Sequence, residues 1–383
     1  MKKILFLQLH SDSFGGIWFV NKSLGEKFIE LGYDVRMVGI RQHNPVNDIG
    51  STKIKIDTIN KEDDWPIIHR RDVLQSIKGR KFLKTFSAYL KDYITLRRDY
   101  KELKKRICEY NPEYIIVSHY QLLQGIPSSY LSKTIHVQHS SFEFLLKYRH
   151  NVNVLKKYQN KIKLCWLSKS IEDQAVKYGF KNNICIYNPV RFNYQKKANV
   201  VENKKITVIS RISPEKRIDL MVQIVNEALK EVSDKTWNFE IYGTGDDFDH
   251  KTKQIFKNNS QIKYKGKTHD PQKILLSSSI NLNTSIFEGY PLSIIEGYFC
   301  GIPVISFEFG PSAKELVVEN YNGFLIGMDN LKDFKRKLID LMSDQKKLEI
   351  LSQNAFNFSK KYNIDQIVVE WLDLFGKMDK GEL

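Results

Sequence analysis

Long apolar runs and cysteine pairs are scarce in this sequence of 383 residues. No run of about 18 apolar residues occurs, which argues against a membrane-spanning helix. The apolar residues after Lys2 and Lys3 end at His10 with no small-residue cleavage site, so we interpret them as the first strand of a cytosolic protein. The four cysteines fit neither a paired metal-ligand spacing nor a disulfide framework, and we expect small buried apolar residues.

Acidic residues are also few, 44 against 60 basic ones, which gives a formal net charge of +16. Residues 1–190 hold 32 Lys and Arg against 18 Asp and Glu, whereas residues 191–383 hold 28 against 26. Residues 70–106, called the basic segment below, hold 13 basic and 4 acidic side chains with apolar residues at helical spacing. They predict basic amphipathic helices that either contact an anionic membrane or polyanion or form a solvated face. No nucleic-acid-binding motif accompanies the charge, which disfavours that partner.

Glycine and proline are sparse, with 20 and 10 residues, and 42% of the residues are hydrophobic, so disordered and fibrous classes are excluded. The length favours two domains. Short β-rich runs alternate with amphipathic segments, which is typical of parallel sheets covered by helices. The predicted strands are 3–9, 34–40, 113–118, 134–138 and 163–167, then 205–210, 238–242, 280–283 and 304–307.

A domain boundary is predicted at Asn188-Pro189-Val190, because the charge asymmetry ends there and the strand pattern restarts at Lys204. The sequence therefore predicts an α/β fold of two doubly wound, Rossmann-like domains, 1–190 and 191–360, that face each other across a cleft. A C-terminal helix follows in 361–383. Ligands of such sheets bind at the carboxyl ends of the strands, where we searched for candidate residues.

Two glycines, Gly15 and Gly16, follow the first strand and open a predicted helix. Glycines there let backbone N–H groups approach a phosphate, but a tight turn needs glycine as well, so both interpretations stay open. The spacing differs from the dinucleotide motif Gly-x-Gly-x-x-Gly, which disfavours a nicotinamide or flavin enzyme.

Two cations, Arg211 and Lys216, lie in the turn after a strand of the second half. They either converge on one diphosphate, Arg as a planar fork and Lys as a point charge, or are ordinary surface cations. Further on, Asp247 and Asp249 have the spacing of a metal-binding carboxylate pair. We interpret them as acids at a helix N-terminus and expect no metal.

The richest segment, residues 281–306, holds Glu288 and Glu296 with seven residues between them. A proline after the first glutamate predicts a helix start, so Glu288 belongs to a loop and Glu296 to the helix. Both carboxylates can then border a pocket whose floor is the free N–H groups of Leu292 and Ser293. Such a helix start binds a diphosphate, and the acids on either side can hold hydroxyl groups.

These motifs resemble those of the family 4 retaining glycosyltransferases, which have the two-domain GT-B fold. The resemblance covers nearly the whole chain and is strongest in the segment with the two glutamates. Ser210 and Arg217 depart from the glycines common around the two cations. The other matching motifs are Phe14-Gly15-Gly16, Pro112 to His119, Tyr242-Gly243-Thr244-Gly245, Gly301-Ile302-Pro303-Val304-Ile305, Asn322-Gly323-Phe324-Leu325 and a last helix with Trp371.

The resemblance implies a role for each matching residue. The cations and the helix start hold the donor diphosphate, Glu288 contacts the transferred sugar, Glu296 contacts the ribose, and the last helix crosses back onto the first domain. His139 is a candidate for the acceptor side and equally for a buried structural histidine. The catalytic residues implied are Glu288, His119, Arg211 and Lys216. The donor and nucleotide site implied comprises Gly16, Arg211, Lys216, Gly243, Glu288, Gly289, Leu292, Ser293 and Glu296.

The implied activity is retaining transfer of a hexose from a nucleotide sugar, UDP-linked, to a cell-surface glycan, a teichoic-acid-type or a lipid-linked acceptor. The enzyme would need no metal or other cofactor and would work in the cytoplasm, peripherally on the inner face of the membrane. Two alternatives stay open. A nucleotide-sugar epimerase or hydrolase would need further acids or bases that we do not find. A non-catalytic protein of this fold that binds membrane or polyanion would not need the two cations and both glutamates.

Overall fold

The computed structural model describes residues 1–12, 15–42, 50–61, 82–192, 196–245 and 248–382, and within 82–110 it describes side chains from residue 93 onward. Phe14, Asp247 and residues 70–81 of the basic segment lie outside the described residues. Within these ranges the chain forms two parallel sheets flanked by helices. The α/β fold with two parallel-sheet domains is therefore confirmed.

The first sheet has seven strands in the order β3-β2-β1-β4-β5-β6-β7 among the described residues. All its pairings are parallel; Ile4 of β1, for example, lies opposite Val35 of β2 and Tyr114 of β4. The strands are β1 Lys3–His10, β2 Asp34–Arg41, β3 Lys55–Thr58, β4 Tyr114–Val117, β5 Thr134–Gln138, β6 Lys163–Trp166 and β7 Asn183–Cys185.

The second sheet has six described strands in the order β10-β9-β8-β11-β12-β13, again all parallel. The four edge strands of the two sheets, β3, β7, β10 and β13, were not among the strands predicted from the sequence. The strands of this sheet are β8 Lys205–Ile209, β9 Asn238–Tyr242, β10 Ile262–Gly266, β11 Ile280–Asn283, β12 Val304–Phe307 and β13 Gly323–Ile326.

Helices connect most successive strands, and 3₁₀ segments occur at Tyr120–Gly125, Ser128–Lys133, Pro214–Lys216 and Lys360–Tyr362. The described helices of the first half are α1 Gly16–Glu30, α2 Phe82–Tyr110, α3 Phe142–Lys147, α4 Arg149–Tyr158 and α5 Lys169–Lys177. Those of the second half are α6 Val200–Asn203, α7 Ile218–Glu231, α8 His250–Asn258, α9 Pro271–Leu276, α10 Leu292–Phe299, α11 Ser312–Leu316, α12 Leu331–Ser343, α13 Gln345–Ser359 and α14 Ile364–Lys380.

The core follows the alternation of side chains along the strands. In β1, Ile4 and Phe6 join the apolar cluster on the α1 face of the sheet, whereas Leu5 and Leu7 join a separate cluster on the opposite face. The α1-face cluster continues into the second domain and includes residues of α14. The first sheet is therefore buried on both faces, and its two faces belong to different cores.

The last helix, α14, packs against the first domain. The ring of Phe375 stacks on Tyr114 of β4 with centroids 3.9 Å apart and lies 5.5 Å from Phe28 of α1. The Asp379 carboxylate, near the end of α14, accepts hydrogen bonds from Lys2 and from the Tyr114 hydroxyl. Helix α14, which follows the second domain in the chain, is therefore attached to the first domain by these contacts.

Helix α2 contains the described part of the basic segment. Its inner face carries Leu103 and Ile107 and one buried acid, Asp99, whose Oδ2 lies 2.6 Å from Nη2 of Arg41 at the end of β2. Its outer face exposes Arg97, Arg98, Lys101, Lys104 and Lys105. The helix is thus amphipathic, as predicted. No helix in the described ranges is long and apolar enough to cross a bilayer.

Candidate donor site between the two sheets

The candidate residues follow the strands at which each sheet reverses its order. In the first sheet these strands are β1 and β4, and in the second they are β8 and β11. Gly16 follows β1, His119 follows β4, Lys216 follows β8 and Glu288 follows β11. The carboxyl ends of strands at such a switch point form the usual ligand crevice of doubly wound sheets. The topology therefore places all four residues at two facing crevices.

Lys216 and Glu288 form an ion pair, Nζ to Oε1, with both side chains mostly buried. The Oγ atom of Ser285 lies 2.7 Å from the same carboxylate oxygen. Thr284 donates its hydroxyl to the carbonyl of Lys216 at 2.8 Å. Both the side chain and the backbone carbonyl of Lys216 therefore bind the loop that carries Glu288.

Helix α10 begins at Leu292 directly after Pro291, and no side chain caps its N-terminus. Helix α1 likewise begins at Gly16 without a side-chain cap. The two helix starts face each other, because a Cβ on Gly16 would lie 3.1 Å from Cδ1 of Leu292. Uncapped N–H groups and the helix dipole favour an anion. The structure therefore brings Gly16 close to the start of α10, which Leu292 and Ser293 form.

Gly289 packs directly against the first domain. A Cβ at this position would lie 2.5 Å from the carbonyl oxygen of His139, so glycine is required for the close approach. The carbonyl of Gly289 accepts a hydrogen bond from the Ser312 hydroxyl at 2.6 Å. The loop that carries Glu288 is thus wedged between α11 and the end of β5.

Gly243 occupies the turn after β9, beside the turn after β8. Its φ of 153° lies in the region that favours glycine, and a Cβ would fall 1.6 Å from the carbonyl oxygen of Ser210. Ser210 in turn donates its N–H to the carbonyl of Tyr242 at 2.9 Å. Gly243 therefore lets the two loops run side by side, and the structure gives it this packing role beneath the Lys216 turn.

Three histidines gather at the carboxyl ends of adjacent strands: His10 ends β1, His119 follows β4 and His139 follows β5. Desolvation, with smaller repulsion from neighbouring histidines, lowers the pKa of His119 and that of His139 to about 3. Among the described residues, Nδ1 of His119 and Nε2 of His139 are buried without a hydrogen-bond partner. Both rings are therefore neutral at neutral pH and keep an unused polar atom.

Arg211 and Glu296 do not join the Lys216–Glu288 pair. The Arg211 side chain is 70% exposed and pairs with Glu215, Nη2 to Oε1, at 3.3 Å. Glu296 lies inside α10, where its carboxylate pairs with Arg191. Burial raises the pKa of Glu296, and Arg191 opposes that shift. Sequence reasoning missed Arg191, because a single cation after the predicted domain boundary carries no motif.

Asp249 caps helix α8: its Oδ1 accepts the N–H of Thr252 at 2.7 Å. This agrees with its interpretation as an acid at a helix N-terminus. The part of the chain that the structure describes holds no group of three or more His, Cys, Asp or Glu side chains arranged for a metal.

One family model matches the part of the chain that contains the second sheet. Residues 190–358, which contain Lys216, Glu288 and Glu296, match the family described as "Glycosyl transferases group 1". This part of the chain is thus similar to glycosyltransferase group 1 domains, and the chain has a GT-B fold.

Individual relatives cover different shares of the chain. An uncharacterized glycosyltransferase of Haemophilus influenzae is 26% identical over 382 residues, which is 97% of this chain and 99% of that protein. The poly(ribitol-phosphate) alpha-N-acetylglucosaminyltransferase of Staphylococcus aureus is 34% identical over 170 residues, 44% of this chain and 34% of that protein. A crystal structure of a mutant of S. aureus TarM, in complex with fondaparinux, alpha-GlcNAc-glycerol and UDP, has a TM-score of 0.71 at 17% identity, covering 98% of this chain and 100% of that one.

Proposed function

We propose that the protein is a family 4, retaining glycosyltransferase that moves a hexose from a UDP-sugar to a polyol-phosphate or related cell-surface glycan. The observation that carries the proposal is the Lys216–Glu288 pair beside the uncapped start of α10, opposite Gly16 of the first domain. A cation, a row of free N–H groups and a carboxylate are what a sugar diphosphate requires.

The donor and the acceptor are proposed from the relatives. The S. aureus relative is named for transfer to poly(ribitol-phosphate), and the TarM structure contains UDP. The excess of basic residues in the first half of this chain is compatible with an anionic acceptor. A polyol phosphate chain carries both the negative charge and the hydroxyl groups that such an acceptor needs.

In the proposed reaction, the donor diphosphate takes Lys216 away from Glu288. Lys216 and the N–H groups of Leu292 and Ser293 then stabilise the charge that builds on the departing diphosphate. Glu288, released from its cation, accepts hydrogen bonds from hydroxyl groups of the sugar. His119, neutral because of its lowered pKa, offers an uncharged hydrogen bond from the first domain. We propose that no metal takes part, since cation and helix dipole already supply positive charge.

A thermal-shift experiment tests the donor site. A ligand that binds the native state raises its apparent stability, by about 2.7 kcal/mol at a hundredfold excess over Kd. We expect UDP and UDP-sugars, but not GDP or ADP, to raise the melting temperature, equally with and without EDTA. Absence of a shift with every nucleotide would contradict the proposal, and a shift abolished by EDTA would contradict the metal-independent mechanism.

We also propose that helix α2 brings the protein to an anionic membrane surface. The support is the row of five cations that α2 exposes, together with the exposed Tyr93 and Ile94 beside them. Each cation near an anionic leaflet contributes about 1 kcal/mol of attraction, which salt screens. This contact would place the enzyme peripherally at the inner face of the membrane.

A further inference from the structure

Arg191 lies in the linker between β7 and α6 and contacts both domains. Its Nε lies 2.7 Å from Oε1 of Glu296, and its Nη2 lies 3.3 Å from Oε2. The guanidinium carbon lies 4.0 Å from the centre of the Phe19 ring. Arg191 thus forms an ion pair with a carboxylate of the second domain, with a hydrogen bond from Nη2, and stacks on a ring of the first.

This ion pair differs from an ordinary surface pair in its burial. The side chain of Glu296 is 6% exposed and that of Arg191 is 19% exposed. A carboxylate buried to this degree costs free energy unless a cation compensates it. Among the described residues, Arg191 is the charged group that acts on this carboxylate, and the thiol of Cys300, which follows α10, is the other titratable group coupled to it. Glu296 therefore depends on Arg191 for its charge.

The position of Arg191 relates this charge to the donor site. Glu296 is one turn along α10 from Leu292 and Ser293, and Phe19 is one turn along α1 from Gly16. Arg191 consequently joins the same two helices whose uncapped starts face each other. A change in its length or shape would alter the spacing of both helix starts.

We infer that Arg191 is a positioning residue of the donor site, which holds Glu296 ionised for the ribose hydroxyls and holds α1 against α10 through Phe19. The inference rests on the proposed function. An ionised carboxylate has about four acceptor sites, so Arg191, which contacts each oxygen of Glu296 once, leaves room for two hydroxyl donors. Arg191 acts through Glu296 and need not touch the nucleotide.

The test measures the affinity for UDP by calorimetry at pH 6, 7 and 8, as the ratio of variant to wild-type Kd. Because UDP protonates to the same extent in both measurements at a given pH, the ratio removes the effect of that protonation on Kd. In Arg191→Met, Glu296 loses its cation and protonates as the pH falls. We expect a Kd about tenfold weaker at pH 8, the size of one lost charge-assisted hydrogen bond, and a ratio that grows toward pH 6.

Three further variants separate positioning from general damage to the fold. Arg191→Lys keeps the positive charge but loses the planar guanidinium and its stacking on Phe19. The ratio of its Kd to the wild-type Kd should therefore be above one and independent of pH. The double variant Arg191→Met with Glu296→Gln has no titrating carboxyl at position 296. The ratio of its Kd to the wild-type Kd should therefore be high and the same at pH 6, 7 and 8. Arg336→Met, which removes a cation from an exposed ion pair with Asp333, should bind UDP like the wild type.

An unchanged Kd in Arg191→Met, or a ratio that does not vary with pH, would overturn the inference while leaving the proposed function intact. A wild-type protein that binds no UDP at any pH would overturn both.

Discussion

Lys216 and Glu288 are the two partners of one ion pair, yet we expect their substitutions to have opposite effects on nucleotide binding. Lys216→Met removes the cation proposed for the diphosphate. Glu288→Gln leaves that cation in place and frees it from its carboxylate. We therefore expect the first to weaken UDP binding and the second to strengthen it, although both should abolish sugar transfer.

The magnitudes follow from the burial of the pair. A charge-assisted hydrogen bond contributes about 1.5–3 kcal/mol, so Lys216→Met should weaken UDP binding about 10- to 150-fold. With side chains 19% and 14% exposed, the pair lies between a surface and a fully buried one. Its loss should lower the free energy of unfolding by about 1–3 kcal/mol. Glu288→Gln should tighten UDP a few-fold, because UDP no longer competes with the carboxylate.

Calorimetric titration with UDP and chemical denaturation of the same three proteins check these values. Arg211→Met is the matched control, because its cation belongs to the same loop but is exposed and paired with Glu215. A loss of affinity there as large as in Lys216→Met would show that Arg211 turns to the diphosphate, as the family resemblance implies. Equal affinities of the wild type and Lys216→Met, or weaker binding in Glu288→Gln, would refute the assignment.

Three other predictions address packing, pH dependence and the membrane. Gly243→Ala should lower the free energy of unfolding by about 2–4 kcal/mol in urea denaturation, because its Cβ would clash with Ser210, whereas Gly376→Ala, with no atom near its Cβ, should not destabilise. Burial lowers the pKa of His136 to about 4, so the unfolded chain binds the proton first as the pH falls and stability decreases between pH 6.5 and pH 4. From pH 7 to pH 5 this histidine should cost about 2 kcal/mol, and a His136→Gln variant with an unchanged pH dependence would contradict the assignment. Neutralising the five exposed cations of α2 should reduce sedimentation with anionic vesicles in low salt, and binding that is unchanged would show that the basic segment is a solvated face.

The sequence predicts the central strands well and the edge strands poorly. A central strand such as β4, Tyr114–Val117, is buried along its whole length and appears as a continuous apolar run. An edge strand such as β3, Lys55–Thr58, is half exposed and contains Lys55 and Asp57, so its composition resembles that of a loop. The predicted domain limits, 1–190, 191–360 and 361–383, stay a prediction.

The site shows the same division between local and tertiary information. Gly16, Glu288, Leu292 and Ser293 lie in local motifs after strands, so their places at the carboxyl ends of the strands can be predicted from the sequence. The partners of the charged residues were not predictable, because they depend on distant packing. Lys216 pairs with Glu288 and Glu296 with Arg191, at separations of 72 and 105 positions in the chain. No local pattern encodes such pairs.

The most direct test of the central claim is to measure sugar transfer from a panel of UDP-sugars to synthetic polyol phosphate and to determine the anomeric configuration of the product by NMR. The account predicts an α-linked product from one α-linked donor, with EDTA present, and no product with Glu288→Gln. A β-linked product would contradict retention. Failure of every donor to react, by a protein that binds UDP, would contradict transfer to this class of acceptor.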